Sequence, residues 1–433
     1  MSKEEVVIFW FRRDYRLTDN AALYHALKNE KNVLPLFIFD REILDKLEDK
    51  KDARVQFIHQ EIGRIKKELN QIGSDLTVRH GKPADIWKDL LEKYAIKAVY
   101  ANNDYEPYAR KRDEKVENLL HQSGVEFQTF KDHVIFEKSE VTKDDGDPYV
   151  VFTPYSKKWL AAFDAENFQS FENERYFDSF LQYEAEPTPS LEEMRFESFE
   201  FEYPSREVQI DIVDKYDERR DIPSVRGTSR LSMHLRFGTV SLRKLVAIAQ
   251  DHNEVWLKEL IWRDFYQMIM WHFPHSAKDS FRPAYDKIPW RNNEKEFHAW
   301  CQGKTGYPIV DAGMRELNNT GFMHNRVRMI TASFLTKHLL IDWRWGEAYF
   351  AKKLLDFELA SNVGGWQWAS GSGCDAAPYF RVFNPELQTK KFDPEMAYIR
   401  KWVPDFQELT YKPIVDHKMA RNRAIETYKK ALS

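Results

Sequence analysis

Short continuous apolar runs alternate with helical patterns through the first 136 residues. The apolar runs cover residues 6–11, 33–40, 76–81, 95–102 and 125–136. Between them, residues 55–69, 83–93 and 109–122 repeat apolar positions at helical spacing and carry charged faces. An uninterrupted apolar run is typical of a strand buried on both faces, and strands that alternate with helices favour parallel pairing. The pattern therefore predicts an α/β fold with a doubly wound parallel sheet.

The pattern changes in the second half of the chain, where strand signals nearly vanish. Helical spacing dominates residues 207–217, 242–251, 255–272, 313–319, 329–340 and 346–355. Residues 137–204 are acidic and punctuated by proline, as in a long connecting segment. We therefore predict three parts: an α/β domain over residues 1–136, a linker over 137–204 and an all-helical domain over 205–433.

Composition narrows the class of protein. The 433 residues are 42% hydrophobic and 31% charged, which is ordinary for a globular chain. The formal net charge of -4 argues against a uniformly basic nucleic-acid binder, although it can hide a local basic face. No apolar run of membrane-spanning length and no signal peptide are apparent. The two cysteines give neither a disulfide framework nor metal-ligand spacing, so we expect a cytoplasmic protein without a metal site.

The loop after the first apolar run lacks the glycines of a dinucleotide site. It reads FRRDYRLTDN, which is rich in arginine and aspartate. A standard dinucleotide-binding fold needs a glycine-rich turn at this point, because the backbone must approach the pyrophosphate. The predicted α/β domain is therefore not expected to bind a dinucleotide in that way.

The segment 356–384 carries the most unusual chemistry. Trp366 and Trp368 bracket one glutamine directly after Gly364 and Gly365. Each glycine weakens a helix interior by roughly 1 kcal/mol, so stability alone does not select the pair. Bare backbone beside an aromatic wall suits a flat aromatic ligand that lies close to the main chain.

Two further segments suggest binding, each with an ordinary structural alternative. In residues 227–238, three hydroxyl side chains surround Arg230 at a predicted helix start, which suits a phosphate; a simple helix cap is the alternative. In residues 256–267, Glu259, Trp262 and Arg263 share one helix face, as pocket residues would; a core aromatic flanked by surface charges is the alternative.

Taken together, these segments resemble the photolyase/cryptochrome family over essentially the whole chain. The signatures are FWFRRDYRLTDNAAL, TSRLS, LIWRDFY, GKTGYPIVDAGMR, HNRVRM, DWRWGE, NVGGWQW and DAAPYFRVFNP. The resemblance is closest to the class I enzymes that act on cyclobutane pyrimidine dimers. It implies an α/β domain for an antenna chromophore, a long linker and a helical domain that binds FAD.

The resemblance assigns a cofactor role to individual residues. The positions that match FAD contacts are Tyr216, Thr228, Ser229, Arg230, Leu231, Ser232, Trp256, Glu259, Arg263, Asn325, Arg328, Asp356, Glu358 and Asn362. Arg328 and Asp356 are expected to pair at a polar edge of the flavin, and Asn362 to face its reactive nitrogen. Glu358 departs from the family, which has aspartate there, and this puts that one contact in doubt.

The resemblance also implies electron-transfer and substrate residues. Trp366, Trp343 and Trp290 match the family's electron-relay tryptophans; three buried structural tryptophans are the alternative. The positions that match the lining of the dimer pocket are Glu259, Trp262, Met329 and Trp368, and those near the DNA backbone are Arg220, Arg326 and Arg381. Glu259 is expected to hydrogen-bond the dimer. Met329 stands where (6-4) photoproduct enzymes carry histidine.

The implied function is light-driven DNA repair by a carbon–carbon lyase. Electron transfer from excited FADH⁻ splits cyclobutane pyrimidine dimers in UV-damaged DNA. A blue-light photoreceptor of the cryptochrome type, including the DASH type, is the main alternative, and an unrelated flavin electron-transfer protein is a third. Glu106 matches an antenna position, for methenyltetrahydrofolate or a deazaflavin or flavin; a charged surface loop is equally consistent with this segment. The chain is expected to be a monomer.

Overall fold

The computed structural model describes residues 3–163, 170–408 and 410–433. Internal contacts group the chain into two compact units. The first unit comprises Met1–Glu137, Phe163–Glu207 and Arg230–Ile248, and the second comprises Lys138–Ala162, Val208–Ser229 and Ala249–Ser433. The predicted linker is thus divided between the two units, and its residues 138–162 belong to the second.

The first unit contains a five-stranded parallel sheet with the strand order β3-β2-β1-β4-β5. Its strands are β1 Glu5–Phe11, β2 Val33–Asp40, β3 Thr77–Gly81, β4 Ala95–Asn102 and β5 Glu126–Phe130. In the central strand, Ile8 pairs in register with Leu34 on one side and Val99 on the other. Both faces of β1 are buried, as its continuous apolar run predicts. The predicted α/β class is confirmed.

Helices connect these strands, and their ends follow ordinary capping chemistry. Within the first unit they are α1 Ala21–Asn29, α2 Arg41–Leu44, α3 Ala53–Asn70, α4 Pro83–Lys93 and α5 Pro107–Gln122. The side chain of Asn20 caps α1 and that of Asp52 caps α3, whereas α4 and α5 begin at proline, which has no N–H to leave unsatisfied.

A buried charge network draws residues 230–248 into the first unit. Arg243 donates to Asp19 at 2.8 Å and to Asp132 at 2.7 Å, and Arg16 donates to Asp132 at 2.6 Å. Burial disfavours ionisation of Asp132, but the two arginines outweigh it and lower the pKa of that carboxyl. Sequence periodicity cannot reveal such a network, because its members lie more than 100 residues apart.

The remaining helices are mostly those of the second unit. They are α6 Phe152–Ala162, α7 Ile210–Asp214, α8 Tyr216–Arg219, α9 Ser232–Phe237, α10 Leu242–His252, α11 Glu254–His272, α12 Glu294–Cys301, α13 Pro308–Thr320, α14 Asn325–Ser333, α15 Trp343–Lys353, α16 Leu359–Ser370, α17 Pro385–Phe392, α18 Ala397–Trp402 and α19 His417–Leu432. Of these, α9 lies in the first unit and α10 crosses the division. The described part of the second unit contains no strand, so its predicted all-helical character is confirmed.

Helix α16 lies at the centre of the second unit and packs against α11, α14 and α15. Its buried residues join a large apolar core that includes Trp300, Trp343 and Trp366. These helices carry most of the residues that the sequence predicts as functional. Among the described residues, no helix has the length and apolar character needed to cross a bilayer.

Two predicted helices differ from the structure in their course. The pattern over 207–217 forms two short helices, because Lys215 leaves the helical region of backbone conformation between them. The pattern over 329–340 begins earlier, at Asn325, and changes to a π-helical turn over Phe334–His338. Apolar spacing alone does not distinguish a continuous helix from one that contains a π turn.

Candidate functional site

The two glycines of α16 have different surroundings. A Cβ on Gly364 would lie 2.3 Å from two ring atoms of Tyr266, so that glycine admits a side chain of α11. A Cβ on Gly365 would meet nothing within 4 Å. The sequence predicted that both glycines admit a flat ligand. A side chain at Gly365 would point into open space, whereas at Gly364 it would meet the packed ring of Tyr266, so for Gly364 the prediction is corrected.

Arg328 and Asp356 form the predicted pair. Nη2 of Arg328 lies 2.8 Å from Oδ2 of Asp356, and its Nε donates to the carbonyl of Met323 at 2.7 Å. The Asp356 side chain is only 7% exposed, and its Oδ1 has no hydrogen-bond partner among the described residues. A buried carboxylate oxygen without a donor is costly, so a ligand that supplies an N–H would fit here. The ring of FAD has such a donor on its polar edge.

Glu358 lies directly before α16, where aspartate was expected, and it contacts side chains of α11 and α16. Its Oε1 accepts from Nη2 of Arg263 at 2.9 Å, and its Oε2 accepts from the hydroxyl of Ser361 at 3.0 Å. The Glu358 side chain thus bridges α16 and α11.

Asn362 is held by a residue that the sequence did not suggest. Its Nδ2 donates to Oε1 of Glu347 at 2.8 Å and to the carbonyl of the same residue at 3.2 Å. Burial raises the pKa of Glu347, and the hydrogen bond from Asn362 partly offsets that rise. These two hydrogen bonds fix the orientation of the Asn362 amide, so that its carbonyl oxygen points away from Glu347.

The predicted relay tryptophans occupy different environments. Trp366 is buried, and its ring centroid lies 6.0 Å from that of Trp300 and 5.0 Å from that of Phe350. A Cβ on Gly346 would lie 2.1 Å from Cη2 of Trp366, so that glycine makes room for the indole. Trp343 is also buried, and the half-buried Trp290 packs edge-on against Tyr428 at 5.8 Å. Their electron-transfer role stays a prediction.

The predicted substrate and DNA residues form two ion pairs. Arg220 lies 2.5 Å from Oε1 of Glu259, and Arg326 lies 2.7 Å from Oδ1 of Asp221. Arg326 also approaches the sulfur of Met329 at 3.6 Å. Burial raises the pKa of Glu259, while the charge of Arg220 opposes that rise. DNA phosphates would therefore have to share these guanidinium groups with carboxylates that already hold them.

Trp262 and Trp368 face separate surroundings. The ring of Trp262 lies face to face with that of Phe152, with centroids 3.7 Å apart. Trp368 lines a cavity of about 370 Å³. Its other lining residues include Tyr266, Gly364, Gly373, Cys374 and Asp375. Glu259, Trp262 and Met329 are not among the residues that line this cavity, although Tyr266 of its lining contacts the ring of Trp262, and the dimer contacts of these residues stay predictions.

The predicted phosphate segment begins at Tyr216, the first residue of α8, and continues at Thr228–Ser232. The division between the two units falls after Ser229. Helix α9 begins at Ser232, and the residue at its N-cap is Leu231, which provides no side-chain cap. The helix-cap alternative therefore does not account for these hydroxyl groups. Arg230 has a positive φ of 54°.

The remaining predicted residues lie on the same helices or close to them. Trp256 is buried in the first turn of α11, Asn325 is exposed at the first position of α14, and Arg381 is exposed with its guanidinium 5.3 Å from the ring of Phe383. Their proposed contacts with cofactor or DNA stay predictions.

In the first unit, Glu106 is a half-buried member of a charge cluster. Its carboxylate lies 3.3 Å from Arg13 and 3.7 Å from Arg236, and Asp104 lies 3.7 Å from Arg13. Burial opposes ionisation of Asp104, but Arg13 and its neighbours outweigh it and lower the pKa of that carboxyl. Glu106 is thus held by ion pairs in a partly enclosed position, and its antenna role stays a prediction. These residues follow β1 and β4, where the strand order reverses and α/β folds commonly bind ligands.

Three residues that contact the predicted site were missed by sequence reasoning. Glu347 holds Asn362, Phe152 covers Trp262 and Asp375 lines the cavity. The motifs DWRWGE and DAAPYFRVFNP contain two of them. Tyr266, which packs on Gly364, lies on the helix face that the spacing of α11 already indicated. Phe152 lies in the predicted linker, where no signal pointed to a pocket.

The first unit contains a parallel sheet, and the second is helical and contains the Arg328–Asp356 pair, which fits the polar edge of a flavin. This combination defines a flavoprotein of the photolyase/cryptochrome class. Comparison with known proteins agrees. The family described as DNA photolyase matches residues 7–173, and the FAD binding domain of DNA photolyase matches residues 256–412. The chain belongs to the DNA photolyase family, and its second unit contains the family's FAD-binding domain.

Relatives and solved structures match along nearly the whole chain. A deoxyribodipyrimidine photo-lyase of Alkalihalophilus pseudofirmus is 36% identical and covers 97% of both chains. A class III photolyase of Agrobacterium tumefaciens superposes with a TM-score of 0.87 at 31% identity, covering 100% of this chain and 98% of the other. An archaeal photolyase of Sulfolobus tokodaii, solved with two FAD molecules, gives a TM-score of 0.85 at 34% identity and covers 98% and 100%.

Proposed function

We propose that this chain is a deoxyribodipyrimidine photo-lyase that uses FAD and light to split cyclobutane pyrimidine dimers in UV-damaged DNA. Full-length similarity to proteins of that name supports the activity. The observation that carries the cofactor assignment is the buried Oδ1 of Asp356, an acceptor in need of a donor beside the Arg328 guanidinium.

The chain's own residues have separate tasks in this reaction. When bound, reduced FAD supplies the photoexcited electron that opens the cyclobutane ring and recovers it afterwards. Arg328 holds one oxygen of Asp356, whose other oxygen would accept from the polar edge of the ring, and Glu347 orients the amide of Asn362. Glu259 would hydrogen-bond the dimer and stabilise the charge that develops on it in a site of low dielectric.

The tryptophans and arginines complete the proposal. Trp366, Trp343 and Trp290 would carry an electron inward to restore the reduced cofactor after oxidation. Arg220, Arg326 and Arg381 would contact backbone phosphates and orient the duplex without reading its sequence. Because Arg220 and Arg326 are already paired, phosphate binding would exchange one anionic partner for another.

Illumination of the reduced, FAD-loaded protein with dimer-containing duplex DNA tests the function. Loss of dimers in light but not in darkness is expected. Persistence of the dimers under saturating light would refute repair and favour a cryptochrome-type photoreceptor. A parallel reaction on single-stranded DNA separates a general photolyase from a DASH-type enzyme, which would be active only on the single strand.

We also propose an antenna chromophore near Glu106, a monomeric state and a cytoplasmic location. The largely enclosed charge cluster of Arg13, Asp104, Glu106 and Arg236 supports the antenna chromophore. The two cysteines, both unpaired in the structure, fit a reducing compartment. Mass analysis of released pigment distinguishes a folate from a flavin or deazaflavin, and light scattering of the purified protein measures its mass against 51.6 kDa.

A further inference from the structure

Helix α6 covers the predicted substrate-stacking residue Trp262. The ring of Phe152, at the start of α6, lies nearly parallel to the indole, with an interplanar angle of 5° and centroids 3.7 Å apart. Phe152 is buried, whereas Trp262 remains half-buried. One face of the indole is therefore occupied by Phe152, and the accessible part lies elsewhere on the ring.

The start of α6 is also anchored to the cavity beside Trp368. The backbone N–H of Phe152 donates to Oδ2 of Asp375 at 3.0 Å. Asp375 belongs to the segment 373–376, which lines that cavity. Because an acidic side chain at a helix N-terminus satisfies a free N–H and complements the helix dipole, this bond fixes both the loop and the start of α6.

Contacts further along α6 hold the helix against α11. Tyr155 packs on Phe265 at 5.2 Å, and Nε1 of Trp159 donates to Oδ2 of Asp264 at 3.0 Å. Both partners on α11 are within three positions of Trp262 along the chain. Helix α6 is thus a fixed support for this part of α11, and Phe152 is the residue that touches the indole plane.

We infer that Phe152 is a positioning residue for the damaged base: it holds the plane of Trp262 against which the flipped pyrimidine pair stacks. The inference rests on the proposed function, because the contact between Trp262 and the dimer is part of that proposal. Enzymes that flip bases recognise them by stacking between aromatic side chains. An indole free to rotate would lose part of that stacking energy, so a flat ring behind it should increase selectivity for damaged DNA.

The segment 138–162 therefore has a role in substrate recognition beyond joining two domains. Helix α6 contacts Trp262 through the ring of Phe152, and it contacts the loop beside Trp368 through the hydrogen bond from Phe152 N–H to Asp375. Both tryptophans would then be held by one support, although they face separate surroundings in the structure.

A set of variants tests the inference with FAD-loaded protein in darkness. Phe152→Leu keeps an apolar side chain of similar volume but removes the flat face, and Phe152→Tyr retains the ring. Trp159→Phe is the matched control, since it loosens α6 without touching Trp262. The readouts are the Kd for a duplex with one dimer, the Kd for the same undamaged duplex, and the flavin absorption spectrum.

We expect Phe152→Leu to weaken binding of the dimer duplex about tenfold, which corresponds to about 1.4 kcal/mol, and to leave binding of undamaged DNA and the flavin spectrum unchanged. Phe152→Tyr should restore the affinity, and Trp159→Phe should leave the ratio of the two Kd values unchanged. The double variant Phe152→Leu/Trp262→Ala should bind no more weakly than Trp262→Ala, because Phe152 acts through that indole.

Additive losses in the double variant, or equal losses on damaged and undamaged DNA, would overturn the inference. So would a Trp262→Ala variant that still discriminates damaged DNA. Light-driven dimer loss by the unaltered protein shows separately whether the proposed function holds, so the two failures can be told apart.

Discussion

Replacing each glycine of the α16 pair by alanine should change stability in opposite directions. Both residues lie inside α16, so alanine gains the same helix propensity at either position, about 1 kcal/mol. At Gly365 the new Cβ meets nothing within 4 Å, and Gly365→Ala should stabilise the protein by about that amount.

At Gly364 the gain is offset by a clash. The new Cβ would lie 2.3 Å from Cδ1 and Cε1 of Tyr266 and 2.9 Å from its Cζ. Trp262 and Phe265 contact the same ring, so Tyr266 cannot swing aside without disturbing α11. Overpacking of this kind costs about 1–3 kcal/mol. Gly364→Ala should therefore be about 1–3 kcal/mol less stable than Gly365→Ala.

Urea unfolding of the FAD-free protein, followed by tryptophan fluorescence and circular dichroism, measures the difference. Tyr266→Ala should abolish most of it in the Gly364→Ala background. Equal unfolding midpoints for the two single variants would refute the packing argument. If the flavin lies against Gly365, the more stable Gly365→Ala variant should nevertheless retain less FAD, which absorption at purification reports.

Further predictions concern charges and electron transfer. Asp356→Asn should reduce FAD retention by leaving Arg328 without its charged partner, as measured by flavin absorption per chain, whereas unchanged flavin content would contradict the site. Trp343→Phe should slow light-driven flavin reduction and spare dimer repair by chemically reduced protein; unchanged photoreduction, measured by absorption, would refute the relay. Arg243→Met should cost about 3–5 kcal/mol in urea unfolding, because it leaves buried carboxylates unpaired, and a loss below about 1 kcal/mol would contradict that reasoning. Burial lowers the pKa of Lys337, so the unfolded chain binds more protons and the free energy of unfolding should rise with pH toward about 10; Lys337→Met should lack that rise.

The sheet could be predicted from sequence because its central strands β1 and β2 are buried on both faces. A run such as residues 6–11 has no polar position to confuse the pattern, and the structure places β1 at Glu5–Phe11. Helix α1 was not predicted, since it begins directly after the polar loop LTDN, which interrupts the apolar pattern. The structure shows that Asn20, the last residue of this loop, caps the helix. The capping hydrogen bond of Asn20 thus explains why α1 begins at this point.

The residues of the site likewise divide into those that the sequence could predict and those that only tertiary packing brings together. Arg328 and Asp356 could be paired in advance by resemblance, and their geometry agrees. The supports of the site could not be predicted, because each depends on tertiary packing: Phe152 lies 110 positions before Trp262 in the sequence. Neither helical spacing nor composition links a residue of an apparent linker to an indole at that separation.

The composition of α16 follows from its having neighbours on most of its sides, with Gly365 as the exposed position. Gly364 gives way to a ring of α11, Trp366 enters the core, and Trp368 lines a cavity. Gln367 between them is buried and exchanges hydrogen bonds with backbone groups of residues 276–281, at 2.8 to 3.0 Å. A helix that is enclosed on most sides presents little surface to solvent, so its sequence shows no clear amphipathic period. The feature that made this segment look unusual in sequence, small and aromatic residues side by side, is therefore a consequence of four different contacts on successive sides of one helix.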